Sequence, residues 1–358
     1  MKADFTKKLM KWNRDFNIRA MPWKGEKDPY KIWLSEIILQ QTRVEQGLGY
    51  YQRFVETFPT VQDLAAAPEK KVFKLWEGLG YYTRCKNLIA TAAFISKEKK
   101  GKFPDAYESI LSLKGIGPYT ASAIASFAFN LPHAVTDGNV FRVLSRYFGI
   151  STAIDSNAGK KLYQLLAFEL LDKQQPGIYN QAIMDLGAVI CKPKQPLCEQ
   201  CPQKNDCQAL KYNIVKTLPV KEKQLKKKTR WLYYFILHVK DAVLVRKRTS
   251  KDIWENLYEF VLFESDELLA PGEKTLNPLV KKIFGNKAAV RIKNISPVFR
   301  QQLTHQTIIG QFIELETPAP PDTLKNYELV KKSLLINYPF PKFITAYLQK
   351  QSKPMQLF

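Results

Sequence analysis

Acidic residues are scarce in this chain. Its 358 residues hold 33 Asp and Glu against 55 Lys and Arg, a formal charge of +22. Such an excess points to a polyanionic partner, nucleic acid first. Charge alone leaves a soluble basic protein, such as a ribosomal accessory, open. Long hydrophobic runs are missing too. No stretch approaches the ~20 apolar residues of a membrane span, and Met1–Lys8 lacks the apolar core of a secretion signal. The expectation is a cytoplasmic protein without a membrane partner. Cysteines number five, four of them between positions 191 and 207, which disfavours a disulfide framework and favours metal binding. Repeats and low-complexity tracts are absent. The 45% hydrophobic content is that of a chain with a real core, and the length suits two domains.

Residues 1–215 read as nearly all helix, with no clear strand alternation. Tyr30–Gln46 forms one apolar-rich helical stretch. Others are expected over 81–98, 118–129, 137–148, 157–172 and 177–190, separated by Gly, Pro and Asn. Residues 216–229 are crowded with lysine and lack apolar periodicity, the pattern of a basic linker. Strand signals follow, at Trp231–Val239, Ala242–Val245 and Gln306–Glu316. Phe343–Leu348 reads as a closing helix before a short tail, 351–358. The second domain, 230–350, is therefore α+β.

Cys191, Cys198, Cys201 and Cys207 have the spacing C-x6-C-x2-C-x5-C. Four thiolates complete either a tetrahedral zinc site or a four-iron cluster. Zinc sites usually pair two C-x2-C knuckles, and only one exists here. Cys85 falls in a helical pattern as a packed thiol.

Gly115-Ile116-Gly117 opens a helix of small residues. Glycines let the backbone turn tightly, and free N–H groups at a helix start bind phosphate oxygens. About twenty residues on, Asp137 precedes another helical stretch, where it suits an N-cap. Glu36 is flanked by Trp33, Leu34, Ile37, Ile38 and Leu39. Such a carboxylate sits either at the edge of an amphipathic helix or in a pocket. In a pocket, desolvation raises its pKa and makes it an acid near neutral pH.

The cysteine spacing, the hairpin and the Asp after it resemble the helix–hairpin–helix-Gly/Pro-Asp glycosylases of the endonuclease III superfamily. The string from Trp33 to Thr42, with Pro22-Trp23 before it and Gly78-Leu79-Gly80-Tyr81-Tyr82 after it, is similar to the MutY-type adenine glycosylases within it. The resemblance covers about Met1 to Leu210 and weakens beyond 230. It implies a bacterial, DNA-associated, monomeric enzyme that excises adenine opposite 8-oxoguanine or guanine in duplex DNA. The fold implied is an all-α helix–hairpin–helix glycosylase domain with a [4Fe-4S] cluster on the four cysteines, plus a Nudix-like domain.

Residue by residue, the resemblance implies that Glu36 protonates N7 of adenine and later helps activate water. Asp137 stabilises the oxocarbenium-like sugar, supported by Tyr119 and Asn139. Trp23 and Gln181 line the base pocket, Gln181 reading the adenine edge. Gly115 and Gly117 clamp a phosphate. Gln41 and Tyr81 insert near the lesion, although without the surrounding match a surface Gln and a core Tyr are the preferred readings. Bifunctional relatives carry Lys where this chain has Tyr119, so water is the implied nucleophile and strand cleavage is not expected.

In the second domain, Trp254–Phe260 fits the strand region where relatives have W-x-x-L-x-x-F. No R-E-x-x-E-E string follows, which excludes diphosphate hydrolysis of the Nudix kind. The family's Phe-Ser-His recognition loop reads Leu303-Thr304-His305 here. Thr304 and His305 keep the polar groups for reading 8-oxoguanine, the aromatic is lost, and His305 also suits a plain turn. Two alternatives stay open: an endonuclease III-like glycosylase/lyase acting on oxidised pyrimidines, and a non-catalytic iron–sulfur DNA-binding protein.

Overall fold

The computed structural model describes residues 2–222, 227–269, 273–285 and 288–351. The helices of its first part are α1 (Lys2–Asp15), α2 (Pro29–Leu39), α3 (Val44–Thr57), α4 (Val61–Ala66), α5 (Glu69–Trp76) and α6 (Thr83–Glu98). They continue with α7 (Tyr107–Leu111), α8 (Pro118–Phe129), α9 (Gly138–Phe148), α10 (Asn157–Leu170), α11 (Pro176–Val189) and α12 (Gln208–Lys211). The strands are β1 (Lys228–Val239), β2 (Ala242–Lys247), β3 (Tyr258–Glu259), β4 (Val261–Ser265), β5 (Arg291–Ile295), β6 (Phe299–Gln302), β7 (Gln306–Glu316) and β8 (Glu328–Lys331). Two further helices are α13 (Glu273–Phe284), after β4, and α14 (Lys342–Gln351), at the end.

Packing divides the chain into two units. One comprises Met1–Ala66 with Asn87–Gln224, the other Ala67–Lys86 with Leu225–Phe358. Among the described residues every strand belongs to the second. The segment 67–86 lies in sequence among helices and packs with the strands. Its helix α5 buries Val72, Phe73 and Trp76, and polar contacts tie the segment to residues far along the chain, among them Lys74 to the Tyr338 carbonyl at 3.2 Å.

In the first unit Phe5, Leu9 and Trp12 of α1 pack on buried residues of α9, α10 and α11, among them Val143, Tyr147, Tyr163 and Ile183. The stretch Tyr30–Gln46 is not one helix. α2 ends at Leu39, Gln40 leaves the helical region at ψ 116, Gln41 turns left-handed at φ 55, and α3 restarts at Val44. Four consecutive polar residues, Gln40-Gln41-Thr42-Arg43, coincide with the break, and a reading of one continuous helix passes over them. Nor are residues 216–222 a bare linker. Ile154 donates to the Val220 carbonyl at 3.0 Å and Arg146 Nε to the Leu218 carbonyl at 3.1 Å, so this piece lies on the helical unit. Lys223 and Lys226 of the expected linker, and 352–358 of the expected tail, lie outside the described residues.

The second unit is a mixed sheet. β1 pairs parallel with β7 from Lys228↔Gln306 to His238↔Glu316, and antiparallel with β2 and β4. Strand side chains alternate faces. Tyr233, Phe235 and Leu237 meet Leu276, Val280 and Phe284 of α13, while Tyr234 stacks on Phe312 and meets Phe343 of α14. Pro278 inside α13 disguises that helix in the sequence, because proline normally breaks one. Trp254–Leu257 is a turn, not a strand, and Asn256 holds a left-handed φ of 73 within it.

Candidate active site and cluster loop

Asp28 caps α2 by accepting the Tyr30 N–H, and Pro29 supplies a preset φ at the first helical position. Because α2 is apolar nearly all round, Glu36 is buried with its neighbours and not edge-exposed; 7% of its surface remains accessible. It lines a pocket of about 170 Å³ with Trp23, Ile32, Phe127, Ile178 and Gln181. By this measure ~10–15 Å³ already holds one water, so the pocket admits a larger group. Burial pushes the Glu36 carboxyl from 4.5 up to about 7, and the charge of Asp137 adds to the rise. The Tyr119 hydroxyl, donating to Glu36, acts the other way. Tyr119 is itself held far above its ordinary value by burial, so it stays a donor.

Asp137 caps α9. Its Oδ1 accepts the Asn139 and Val140 N–H groups at 2.9 and 2.8 Å, and its Oδ2 accepts the Asn139 side-chain amide at 2.6 Å. The bonds that cap α9 thus also fix a carboxylate whose charge acts on Glu36. Burial raises its pKa while these bonds favour the charged form. Behind it, Arg142 donates to Asn139 Oδ1 at 2.8 Å, to the Gly187 carbonyl at 2.7 Å and to the Cys191 carbonyl at 2.7 Å. A Cβ on Gly187 would come within 2.6 Å of the Asn139 Cβ, so the close approach of α11 to α9 requires glycine.

Sequence reasoning missed Asp185. It is fully buried and accepts from Asn17, Arg19 and Lys24. Gln181 Nε2 also donates to it, at 3.0 Å. This contact leaves the Gln181 carbonyl oxygen free of that partner. The signal was available: Gln181 and Asp185 are four apart on α11, hence on one face.

The remaining expected residues fall at distinct places. Gly115 adopts φ 80, and an added Cβ would strike Asn87 at 2.7 Å. Gly117 precedes α8 with open space around it and no side-chain cap, leaving the first turn of that helix accessible. Gln41 is exposed at the α2–α3 break. Tyr81, in the second unit, is also left-handed at φ 49, an uncommon conformation for a bulky residue. Its hydroxyl lies 2.5 Å from Thr304 Oγ1. Thr304 and His305 are exposed in a turn closed by Leu303 N–H donating to the Gln306 carbonyl at 2.8 Å.

Cys191, Cys198, Cys201 and Cys207 line one small cavity with Arg146 and Ile190. Arg146 donates to the Cys191 sulfur at 3.4 Å and to the Lys192 carbonyl at 2.8 Å. Burial, with the other three sulfurs nearby, pushes the Cys201 thiol up to about 12. No three His, Cys, Asp or Glu side chains among the described residues are arranged to hold a single metal ion. Four thiols around one shared cavity are a donor set that fits a thiolate-bound metal centre.

No helix among the described residues is long and apolar enough to cross a membrane. Residues 34–167 match the HhH-GPD superfamily of base excision DNA repair proteins, and residues 233–350 match the NUDIX domain. Among solved structures, that of a thermostable thymine-DNA glycosylase superposes with a TM-score of 0.55 at 28% identity, covering 59% of this chain and 97% of that one. The chain is 40% identical to the adenine DNA glycosylase of Homo sapiens over 57% of its own length and 39% of the relative's. It is 35% identical to the adenine DNA glycosylase of Buchnera aphidicola subsp. Baizongia pistaciae (strain Bp), across 85% of this chain and 84% of that protein. With a relative matched over most of both lengths, the chain belongs to the adenine DNA glycosylases of the helix–hairpin–helix base excision repair superfamily.

Proposed function

We propose that this enzyme hydrolyses the N-glycosidic bond of adenine mispaired with 8-oxoguanine, or with guanine, in duplex DNA, and leaves the strand uncut. The observation that carries the reading is Glu36, buried and poised at about 7, with the Tyr119 hydroxyl donating to it and the charge of Asp137 acting on it. Breaking an N-glycosidic bond needs an acid at the base and negative charge beside the sugar. The base must first leave the stack.

Adenine enters beside Trp23 and Gln181. Glu36 gives its proton to N7, and the C–N bonding pair leaves with the base. The Asp137 carboxylate, held by Asn139, stabilises the cationic sugar; the Tyr119 oxygen or ring adds to this. Water then adds to the sugar carbon and its proton returns to Glu36. Gly115 and Gly117 hold a backbone phosphate, Gln41 and Tyr81 fill the space the base vacates, and Thr304 and His305 read the 8-oxoguanine. The four cysteines would hold a [4Fe-4S] cluster, which supplies structure and DNA positioning but no step of the bond cleavage. The helical domain, 1–215, carries the chemistry and 230–350 the lesion reading. The protein acts as a bacterial cytoplasmic monomer.

The test is single-turnover excision on duplexes carrying A opposite 8-oxoguanine, A opposite G, and T opposite G. Adenine should leave fastest opposite 8-oxoguanine, more slowly opposite G, and thymine not at all. Thymine release without adenine release would overturn the proposal.

A further inference from the structure

The segment 67–86 belongs to the strand-containing unit and carries the loop Gly78–Tyr82. The loop is braced from within. Trp76 Nε1 and Arg84 Nη2 both donate to the Gly80 carbonyl, at 3.0 and 3.2 Å, and the Gly78 N–H donates to the Tyr82 hydroxyl at 3.2 Å. The Arg84 guanidinium lies 5.4 Å from the Tyr81 ring centroid. A left-handed tyrosine persists only where its surroundings over-determine it.

The segment's two flanks are tied to the rest of the same unit. On the N-terminal side Glu77 accepts the Phe340 N–H at 2.7 Å and the Lys74 ammonium at 2.6 Å, and Lys74 also reaches the Tyr338 carbonyl at 3.2 Å. The Lys70 ammonium sits 2.9 Å from the Tyr338 ring centroid and 5.3 Å from that of Tyr258. Glu69 pairs with Lys247 at 2.7 Å. On the C-terminal side Lys86 donates to Glu255 at 2.8 Å. Glu77 is the last residue before the loop and Lys86 lies one turn into α6. Between these anchors, Tyr81 meets Thr304 through their hydroxyls.

We infer that Glu77 and Lys86 form a clasp on either side of the loop, positioning residues that hold Tyr81 against Thr304 and so set how strongly the base opposite adenine is read. The inference rests on the roles proposed above, Thr304 reading the lesion and Tyr81 filling the vacated space beside it. Glu77 is the stronger anchor, because its carboxylate is mostly buried and accepts from a backbone N–H and a cation at once. The Lys86–Glu255 pair is half-exposed, so removing it spares the fold.

Two measurements on the full-length protein test this. Hydrogen exchange of the unliganded protein reads the loop directly. Glu77→Ala should speed exchange of the Leu79–Tyr82 amides roughly tenfold or more and Lys86→Met about two- to fivefold, with α2 and α8 unchanged. Glu77→Gln, which keeps an acceptor for the Phe340 N–H, should restore most of the protection. Single-turnover excision reads the consequence. Both clasp variants should slow excision opposite 8-oxoguanine several times more than excision opposite G. Thr304→Val should cause the same selective loss, and Glu77→Ala should add nothing to it, as expected for residues acting through one contact. Unchanged exchange at 79–82 overturns the clasp, and equal loss opposite both bases overturns its positioning role. If the wild type does not distinguish 8-oxoguanine from G, the lesion-reading proposal falls, and the exchange measurement still decides whether the clasp exists.

Discussion

Glu36 offers a prediction whose size follows from its burial. A carboxyl at 4.5 is about 0.3% protonated at pH 7, whereas one at about 7 is half protonated. The pocket thus enriches the acid form more than a hundredfold at working pH. Single-turnover excision by the wild type should therefore fall as pH rises through about 7, because only the protonated form can serve N7. Glu36→Gln should bind duplex normally and lose roughly 10²–10⁴-fold in excision, with the alkaline limb gone. The same shift acts on stability. The native state binds this proton more tightly than the unfolded chain, so the native fold is not penalised below pH 4.5 and loses stability as pH rises from 4.5 through 7. The full loss is about 3 kcal/mol, from 2.5 pH units at 1.36 kcal/mol each. Glu36→Gln removes that loss, so its midpoint relative to wild type should improve from pH 5 to pH 8 in thermal unfolding. A flat wild-type rate profile between pH 5.5 and 8.5, or a variant difference independent of pH, would refute the reasoning.

Tyr119 separates two reaction classes. Tyr119→Lys should gain weak strand nicking and become trappable by borohydride, while Tyr119→Phe keeps part of the excision and moves the alkaline limb upward, because the hydroxyl that lowers the Glu36 pKa is gone. Efficient nicking by the wild type with no gain in Tyr119→Lys would point to another nucleophile. Protein prepared without oxygen should contain iron and sulfide with broad visible absorbance, and Cys198→Ser should lose most of both; stoichiometric zinc without iron would count against the cluster.

Much of the candidate site was legible because its residues lie in short strings. Glu36 within an apolar run, Gly115 and Gly117 before a helix of small residues, Asp137 at a helix start and the four clustered cysteines each announce themselves through local chemistry. The helix starts at Pro118, Gly138 and Pro176 follow from proline, glycine and capping preferences that act within one turn. Other features needed tertiary structure. Burial of Glu36, and hence its raised pKa, depends on what covers α2. The polar run Gln40–Arg43 interrupts the apolar face, but that the chain turns left-handed at Gln41 there instead of continuing as a helix shows only in the backbone. Asp185 becomes important only when Asn17, Arg19 and Lys24, more than 150 residues earlier, converge on it. The assignment of residues 67–86 to the strand-containing unit was likewise closed to the sequence. Amphipathic periodicity reports that an element has a buried face, whereas the partner of that face is chosen by long-range packing and by single polar contacts such as Glu77 with Phe340.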